Sequence, residues 1–162
     1  MRKIILAAVV LAGICAFAVY IKKKMEKKQS VVLAAYSYPS IESSYWKAVI
    51  KKGGKNIPYV IINPNSGPGA EADLNYARQL KENMKEGIKN IAYIRTNYQK
   101  RPLTEVLADI DKYYELYGKN NLNGFFFDEV GVDDKSQPAY MKAIYEYVKS
   151  KGKDNIVVAN PG

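Results

Sequence analysis

The sequence contains no histidine and a single cysteine, Cys15. These two scarcities exclude His-based metal centres, Ser-His and Cys-His nucleophile pairs, and an internal disulfide. Phosphate loops are missing as well. No Gly-x-Gly-x-x-Gly follows the first apolar run, and no Gly-x4-Gly-Lys-Ser/Thr occurs anywhere, so the usual nucleotide-binding signatures are absent. Nor is the chain of low complexity: 11 Gly and 7 Pro are spread through 162 residues that are 48% hydrophobic and 25% charged, a composition that predicts one globular core. Chemistry is left to carboxylates, tyrosines, amides, lysines and arginines.

What is present begins with charge. The net charge of +9 suggests nucleic acid until it is divided along the chain. Arg2, Lys3, Lys22, Lys23, Lys24, Lys27 and Lys28 against Glu26 give residues 1–28 a net +6, which leaves +3 for residues 29–162. A nucleic-acid surface needs its basic cluster within the folded domain, so no nucleic-acid partner is expected.

The leader places 18 apolar or small residues, Ile4 to Ile21, between Met1-Arg2-Lys3 and the Lys22–Lys28 run. Read as a signal peptide, Arg2 and Lys3 form the basic start, Ile4 to Cys15 the apolar stretch, and Ala16-Phe17-Ala18 the cleavage site. Read as a membrane anchor, the segment just approaches the roughly 20 residues needed to cross a bilayer. The basic residues after it favour a cytoplasmic C-terminal side, but the signal-peptide pattern carries more weight, and the domain is expected to be exported, either secreted or anchored at the cell surface. Cys15 follows Ile14 rather than a small residue, so it reads as an inert side chain and not a lipidation site.

From residue 29 the chain alternates apolar β-rich runs with helical patterns. Strands are predicted at Val31–Ala35, Ile57–Ile62, Ile91–Ile94, Gly124–Asp128 and Ile156–Ala159, and from the second onward they recur about every 33 residues. Between them, Leu74, Ala77, Leu80 and Met84, then Leu103, Val106, Leu107, Ile110, Tyr113, Tyr114 and Tyr117, then Met141, Ile144, Tyr145 and Val148 fall at helical spacing. Gly87 and Gly118 are expected just past helix ends, Pro102 at a first helical position, and Ser136 with Pro138 at a helix start. Apolar strands separated by helices predict parallel βα units, and so an α/β fold. Periodicity alone does not separate an open doubly wound sheet from part of a (β/α)8 barrel. The chain stops at Gly162 directly after the fifth strand, and the expectation is a barrel cut short after about five units.

In either architecture ligands gather at the C-terminal ends of the strands. Those ends hold Tyr36 and Tyr38, the Asn63–Gly69 loop with Asn65, then Arg95, Thr96, Asn97 and Tyr98, then Asp128 and Glu129, then Asn160. Asp128-Glu129 is the strongest local signal, because Phe125-Phe126-Phe127 drives two acids to the rim of an apolar core, where desolvation raises a carboxyl toward general-acid range. Adjacent residues of a strand face opposite ways, so at most one of the two is expected to project inward. A retaining glycosidase sets two carboxyls about 5–5.5 Å apart and an inverting one about 6.5–9.5 Å, so in either case the second carboxyl should come from another strand. A strand-ending cap is the plain reading of Asp128, and a Pro/Gly turn is the plain reading of Asn63–Gly69. Tyr36, Tyr38 and Tyr98 have rings placed to stack on a sugar; Tyr113, Tyr114, Tyr117, Tyr145 and Tyr147 read as helix packing, and Trp46 as core. A metal at Asp128, Asp133 and Asp134 is a weaker reading than a solvated acidic loop, so neither metal nor organic cofactor is expected.

Five ordered motifs, Ile61-Ile62-Asn63-Pro64-Asn65-Ser66-Gly67-Pro68-Gly69, Thr96-Asn97-Tyr98 with Arg101-Pro102-Leu103, Val106-Leu107-Ala108-Asp109-Ile110, Gly124-Phe125-Phe126-Phe127-Asp128-Glu129 and Val157-Val158-Ala159-Asn160-Pro161-Gly162, closely resemble the spherulin-4 proteins, spherulation-specific family 4. The resemblance covers roughly Val31 to Gly162. It implies a (β/α)8 barrel and a glycoside hydrolase, the family's fungal enzymes being endo-acting on α-1,4-linked galactosamine or N-acetylgalactosamine of an exopolysaccharide. It places the family's acidic pair on Asp128 and Glu129, with Asp128 the nucleophile of a retaining mechanism and Glu129 supporting it or serving as an alternative acid. Tyr36, Tyr38, Asn63, Asn65, Arg95, Thr96, Tyr98 and Asn160 become the expected substrate contacts. The family's further catalytic glutamate is expected beyond residue 162, so residues 29–162 alone are expected to be inactive and poorly stable. Arg95 stands where relatives commonly carry a histidine, which implies a preference shifted away from a cationic, deacetylated sugar. The alternative is a carbohydrate-binding barrel without catalysis.

Overall fold

The computed structural model describes residues 31–132 and 137–161; the leader, Asp133, Asp134 and Ser136 lie outside them. Five strands, β1 (Val32–Ala34), β2 (Tyr59–Ile62), β3 (Lys89–Arg95), β4 (Gly124–Val130) and β5 (Ile156–Pro161), alternate with four helices, α1 (Ser44–Asn56), α2 (Leu74–Lys85), α3 (Leu103–Tyr117) and α4 (Gln137–Lys151), and a short 3-10 turn at Lys119–Asn121 precedes β4. Among the described residues no helix is long and apolar enough to cross a membrane.

All strands pair in parallel and lie in strict chain order, β1-β2-β3-β4-β5. That order decides between the two architectures left open by periodicity. A doubly wound sheet reverses direction at a switch point to place helices on both faces. Right-handed crossovers between successive neighbours instead put every helix on the same side, and the sheet curls into a half-barrel with the helices outside.

Each strand splits its side chains accordingly. Val60, Ile62, Ala92, Ile94, Phe125 and Phe127 point outward into one core shared with Trp46, Leu80, Val106, Ile110, Tyr113, Ile144 and Val148. Burial of each such side chain stabilises the fold by about 1.5–3 kcal/mol. On the inner face Ile61, Ile91 and Tyr93 form a second cluster with Tyr59, Phe126, Ile156 and Val158. Trp46 is core as expected, its indole N–H donating to the Ser37 carbonyl at 2.7 Å. Tyr145, expected to pack, is half exposed.

Local chemistry sets the element ends. The Asp73 carboxylate accepts from the N–H groups of Asn75 and Tyr76 at 2.8 and 3.1 Å and caps α2, while the Ser43 hydroxyl accepts from Trp46 N–H to cap α1. Pro102 precedes α3 as its N-cap instead of occupying the first helical position, and Gly118 directly follows the end of that helix as its C-cap. At the opposite end of the sheet from the rim, the buried Asn90 amide donates to the carbonyls of Leu80 and Asn121 and its Oδ1 accepts from Asn83. A satisfied buried network of this kind fixes the start of β3.

Candidate active site

The inner-face positions nearest the C-terminal rim are Tyr36 after β1, Tyr93 and Arg95 on β3, Asp128 on β4 and Asn160 on β5. Register brings them together: Tyr93 is paired with Phe126 and Arg95 with Asp128. The ladder between β4 and β5 then slips, passing from Phe127↔Ala159 to Val130↔Pro161, so β4 holds one residue more than β5. This is a β-bulge, and Glu129 at its centre has φ 54°, a conformation that costs an L-residue about 1–2 kcal/mol.

The bulge changes which way the acids face. Strict alternation would send Glu129 outward, toward the helices. Instead Glu129 Oε2 accepts from Arg95 Nε at 2.6 Å, and Asp128 accepts from the Tyr93 hydroxyl at Oδ2 and from the Asn160 amide at Oδ1, each at 2.8 Å. Tyr93 and Arg95 share the inner face of β3, so both carboxylates meet that face. The expectation that only one projects inward is corrected, and the cause is the extra residue.

Electrostatics at Asp128 also differ from expectation. Burial pushes its carboxyl up, but hydrogen bonds from Asn160, Tyr93 and the Glu129 backbone N–H, together with the Arg95 charge, outweigh it and hold the group below its ordinary value. Asp128 is therefore an ionised acceptor and not a general acid. The Tyr93 phenol is raised well above its ordinary range by burial and by the Asp128 carboxylate it serves, so it stays a donor. Tyr36, whose ring meets the Tyr93 ring edge-on at 5.9 Å, is raised by burial and by Asp128.

Beside the pair lies a polar cavity of ≈ 390 Å³ walled by Asn65–Ala70, Arg95, Arg101 and Asp109. Arg101 Nη1 binds Asp109 at 2.9 Å and the Arg95 carbonyl at 2.8 Å, which fixes the Arg101 guanidinium along one wall. Among the described residues no group of three His, Cys, Asp or Glu side chains converges to hold a metal.

The sequence model of the spherulation-specific family 4 matches residues 30–162. The chain belongs to that family. It is 30% identical over 146 residues to spherulin-4 of Physarum polycephalum, which covers 89% of this chain and 42% of that protein. Among solved structures it is similar to Aspergillus clavatus Sph3 in complex with GalNAc, with a TM-score of 0.73 and 34% identity over 85% of this chain and 60% of Sph3. The chain thus spans less than half of spherulin-4 and about three fifths of Sph3.

Within the family framework the residues singled out from sequence take several different places. Tyr36, Arg95 and Asn160 converge with Asp128 and Glu129 as described. Asn63 and Asn65 shape the neighbouring loop: Asn63 Oδ1 accepts from Gly67 N–H at 3.2 Å, and its carbonyl accepts from the Tyr76 hydroxyl at 3.0 Å. Tyr38 is tied to the start of α2, its hydroxyl donating to Asp73 at 3.0 Å. Tyr98 presents a half-exposed ring. Thr96 is fully buried beneath the pair, its Oγ1 at 3.0 and 2.8 Å from the Asp128 and Glu129 carbonyls, and so does not reach solvent. Tyr93 was missed, and Arg101 and Asp109, though within the motifs, were not expected as site residues. Tyr93 was legible from period two, since it stands two residues before Arg95; nothing in the spacing of Arg101 and Asp109 marks them as a cavity wall.

Proposed function

We propose that this chain carries five of the eight strands of a (β/α)8-barrel glycoside hydrolase acting on an N-acetylgalactosamine-containing exopolysaccharide. The observation that supports it most is the bulge-built acidic pair: Asp128, ionised and oriented by Tyr93 and Asn160, beside Glu129, in a chain 34% identical to a protein crystallised with GalNAc. Asp128 is the nucleophile of a retaining displacement. Its carboxylate oxygen attacks the anomeric carbon, the glycosidic oxygen departs with a proton from a second carboxyl, and water then hydrolyses the glycosyl-enzyme bond. Glu129 is committed to Arg95 at 2.6 Å and supports the site without donating that proton. The acid is assigned to a carboxyl about 5–5.5 Å away on a further strand, beyond residue 162.

Tyr36 and Tyr98, each about half exposed, offer ring faces to sugar, and the cavity along Arg95 and Arg101 takes the adjoining residue of the polymer. These surfaces suit a sugar polymer, and the family resemblance makes endo-cleavage of an α-1,4-linked galactosamine or N-acetylgalactosamine chain the reading to test. Residues 1–28 deliver the domain to the outer side of the membrane, where such a substrate is found.

The test is an assay of the full reading frame against partly deacetylated galactosaminogalactan and against α- and β-linked amino-sugar polymers, with Asp128→Asn as control. Oligosaccharide release that Asp128→Asn abolishes is the expected result. Binding without release from a folded protein would replace the hydrolase by a carbohydrate-binding barrel, and neither binding nor release would overturn both.

A further inference from the structure

The loop after β3 grips the backbone of the acidic pair. Thr96 N–H donates to the Asp128 carbonyl at 2.9 Å and Tyr98 N–H to the Glu129 carbonyl at 2.7 Å. Between them the Thr96 hydroxyl lies 3.0 Å from the first carbonyl and 2.8 Å from the second. Its single proton is shared by the two acceptors.

To return the Tyr98 N–H across the end of β4, the loop takes an unusual path. Asn97, Tyr98 and Gln99 all have left-handed φ, at 52°, 53° and 59°, and none is glycine. The left-handed region is disfavoured for residues with a Cβ, least so for asparagine, and here three follow one another. Gln99 continues the embrace, its side chain lying over Gly131, where a Cβ would stand 2.8 Å from Oε1. Among the described residues the five left-handed non-glycines are Ser66, Asn97, Tyr98, Gln99 and Glu129. All five lie at the C-terminal ends of β2, β3 and β4. Strain concentrated at one rim persists only where the surroundings over-determine it, and it marks a working site.

We propose that Thr96 is the positioning residue of the acidic pair: its hydroxyl, backed by the left-handed turn Asn97–Gln99, clamps the β4 bulge and so brings Glu129 to the inner face beside Asp128. What the carboxylates then do rests on the proposed hydrolase reading; that they are held by Thr96 does not.

The test uses the full reading frame without substrate. Thr96→Val removes the shared proton and keeps the shape, and each carbonyl retains one backbone donor, so the fold survives. As the bulge relaxes, the Glu129 N–H withdraws from Asp128. The Asp128 carboxyl, followed by carbon NMR, then titrates higher, toward the ordinary aspartate value of about 3.9. Thr96→Ser restores the wild-type titration. Val106→Ala, a buried change in α3, lowers stability without moving it. In the unmodified protein, Tyr98 N–H exchange is slowed at least about tenfold over an unfolded peptide, although the residue lies in an exposed turn. The proposal is overturned if Thr96→Val titrates like the wild type, if Thr96→Ser behaves like Thr96→Val, if Val106→Ala shifts Asp128 as far, or if Tyr98 N–H is unprotected. Absence of hydrolysis would remove the enzymatic reading and leave these results standing.

Discussion

The hydroxyl of Tyr93 donates to Asp128 Oδ2 at 2.8 Å, joining β3 to β4 through side chains just above the Tyr93–Phe126 backbone pair. Tyr93→Phe keeps the ring packed on the inner face and removes only that donor. The Asp128 carboxyl is depressed in the folded state, so its contribution to stability is full above the unfolded value of about 3.9 and is lost as pH falls through the lower folded value. Tyr93→Phe is therefore expected to cost about 1 kcal/mol at neutral pH, with the gap to wild type narrowing in acid. Urea midpoints at neutral pH and below pH 3 check this; an equal gap at both would contradict it.

Arg95 and Glu129 form a short ion pair whose side chains are 47% and 25% exposed. Such a half-exposed pair contributes little and is screened by salt. Arg95→Gln is expected to unfold slightly earlier than wild type in dilute buffer and together with it in about 1 M salt, where the Debye length falls to about 3 Å. A deficit that survives high salt would point to lost packing in place of lost charge.

Tyr98 inverts the usual ranking of glycine and alanine. At an ordinary position glycine is less stabilising than alanine by roughly 0.5–1 kcal/mol. With φ at 53°, Tyr98→Gly is expected to be more stable than Tyr98→Ala by about 1 kcal/mol. Both lack the ring, so their difference in denaturation midpoint isolates the backbone.

Gly124 opens β4 against β5 with no room for a methyl group. A Cβ there would stand 2.1 Å from the Ile156 carbonyl oxygen and 2.6 Å from its nitrogen. Backbone is what it would strike, so Gly124→Ala is expected to cost at least about 3 kcal/mol or to abolish cooperative unfolding. A thermal midpoint equal to wild type would show that the two strands separate more easily than their pairing implies.

The five strands and the last three helices were legible because each strand is a continuous apolar run and each of those helices has an apolar stripe; no such spacing was drawn for α1. β3 begins two residues before its expected start, at Lys89 and Asn90, because a buried asparagine satisfied by amides looks like loop in a hydropathy pattern. Strand order was not legible from periodicity, since right-handed crossovers serve a doubly wound sheet and a barrel alike; the family resemblance implied it. The pair Asp128-Glu129 was visible, but its geometry was not: no glycine marks the bulge, and the donors that hold it, Thr96 and Tyr98, sit some thirty residues earlier. Asp128 was expected to be raised by the phenylalanines behind it. The polar ends of the neighbouring strands, Tyr93 and Asn160, reverse that.

Sequential strand order also bears on how the site comes into being. The side-chain contacts that assemble it, Tyr93 to Asp128, Arg95 to Glu129, Thr96 to the Glu129 carbonyl and Asn160 to Asp128, bridge 35, 34, 33 and 32 residues. Each loop to be closed is one βα unit long, and its entropy cost grows only slowly with length. The unit can therefore form as the chain emerges from the ribosome, one strand docking on the last. Asp128 gains its Tyr93 partner as β4 is added and its Asn160 partner as β5 follows, so that the centre matures stepwise with synthesis, each step needing only the strand before it.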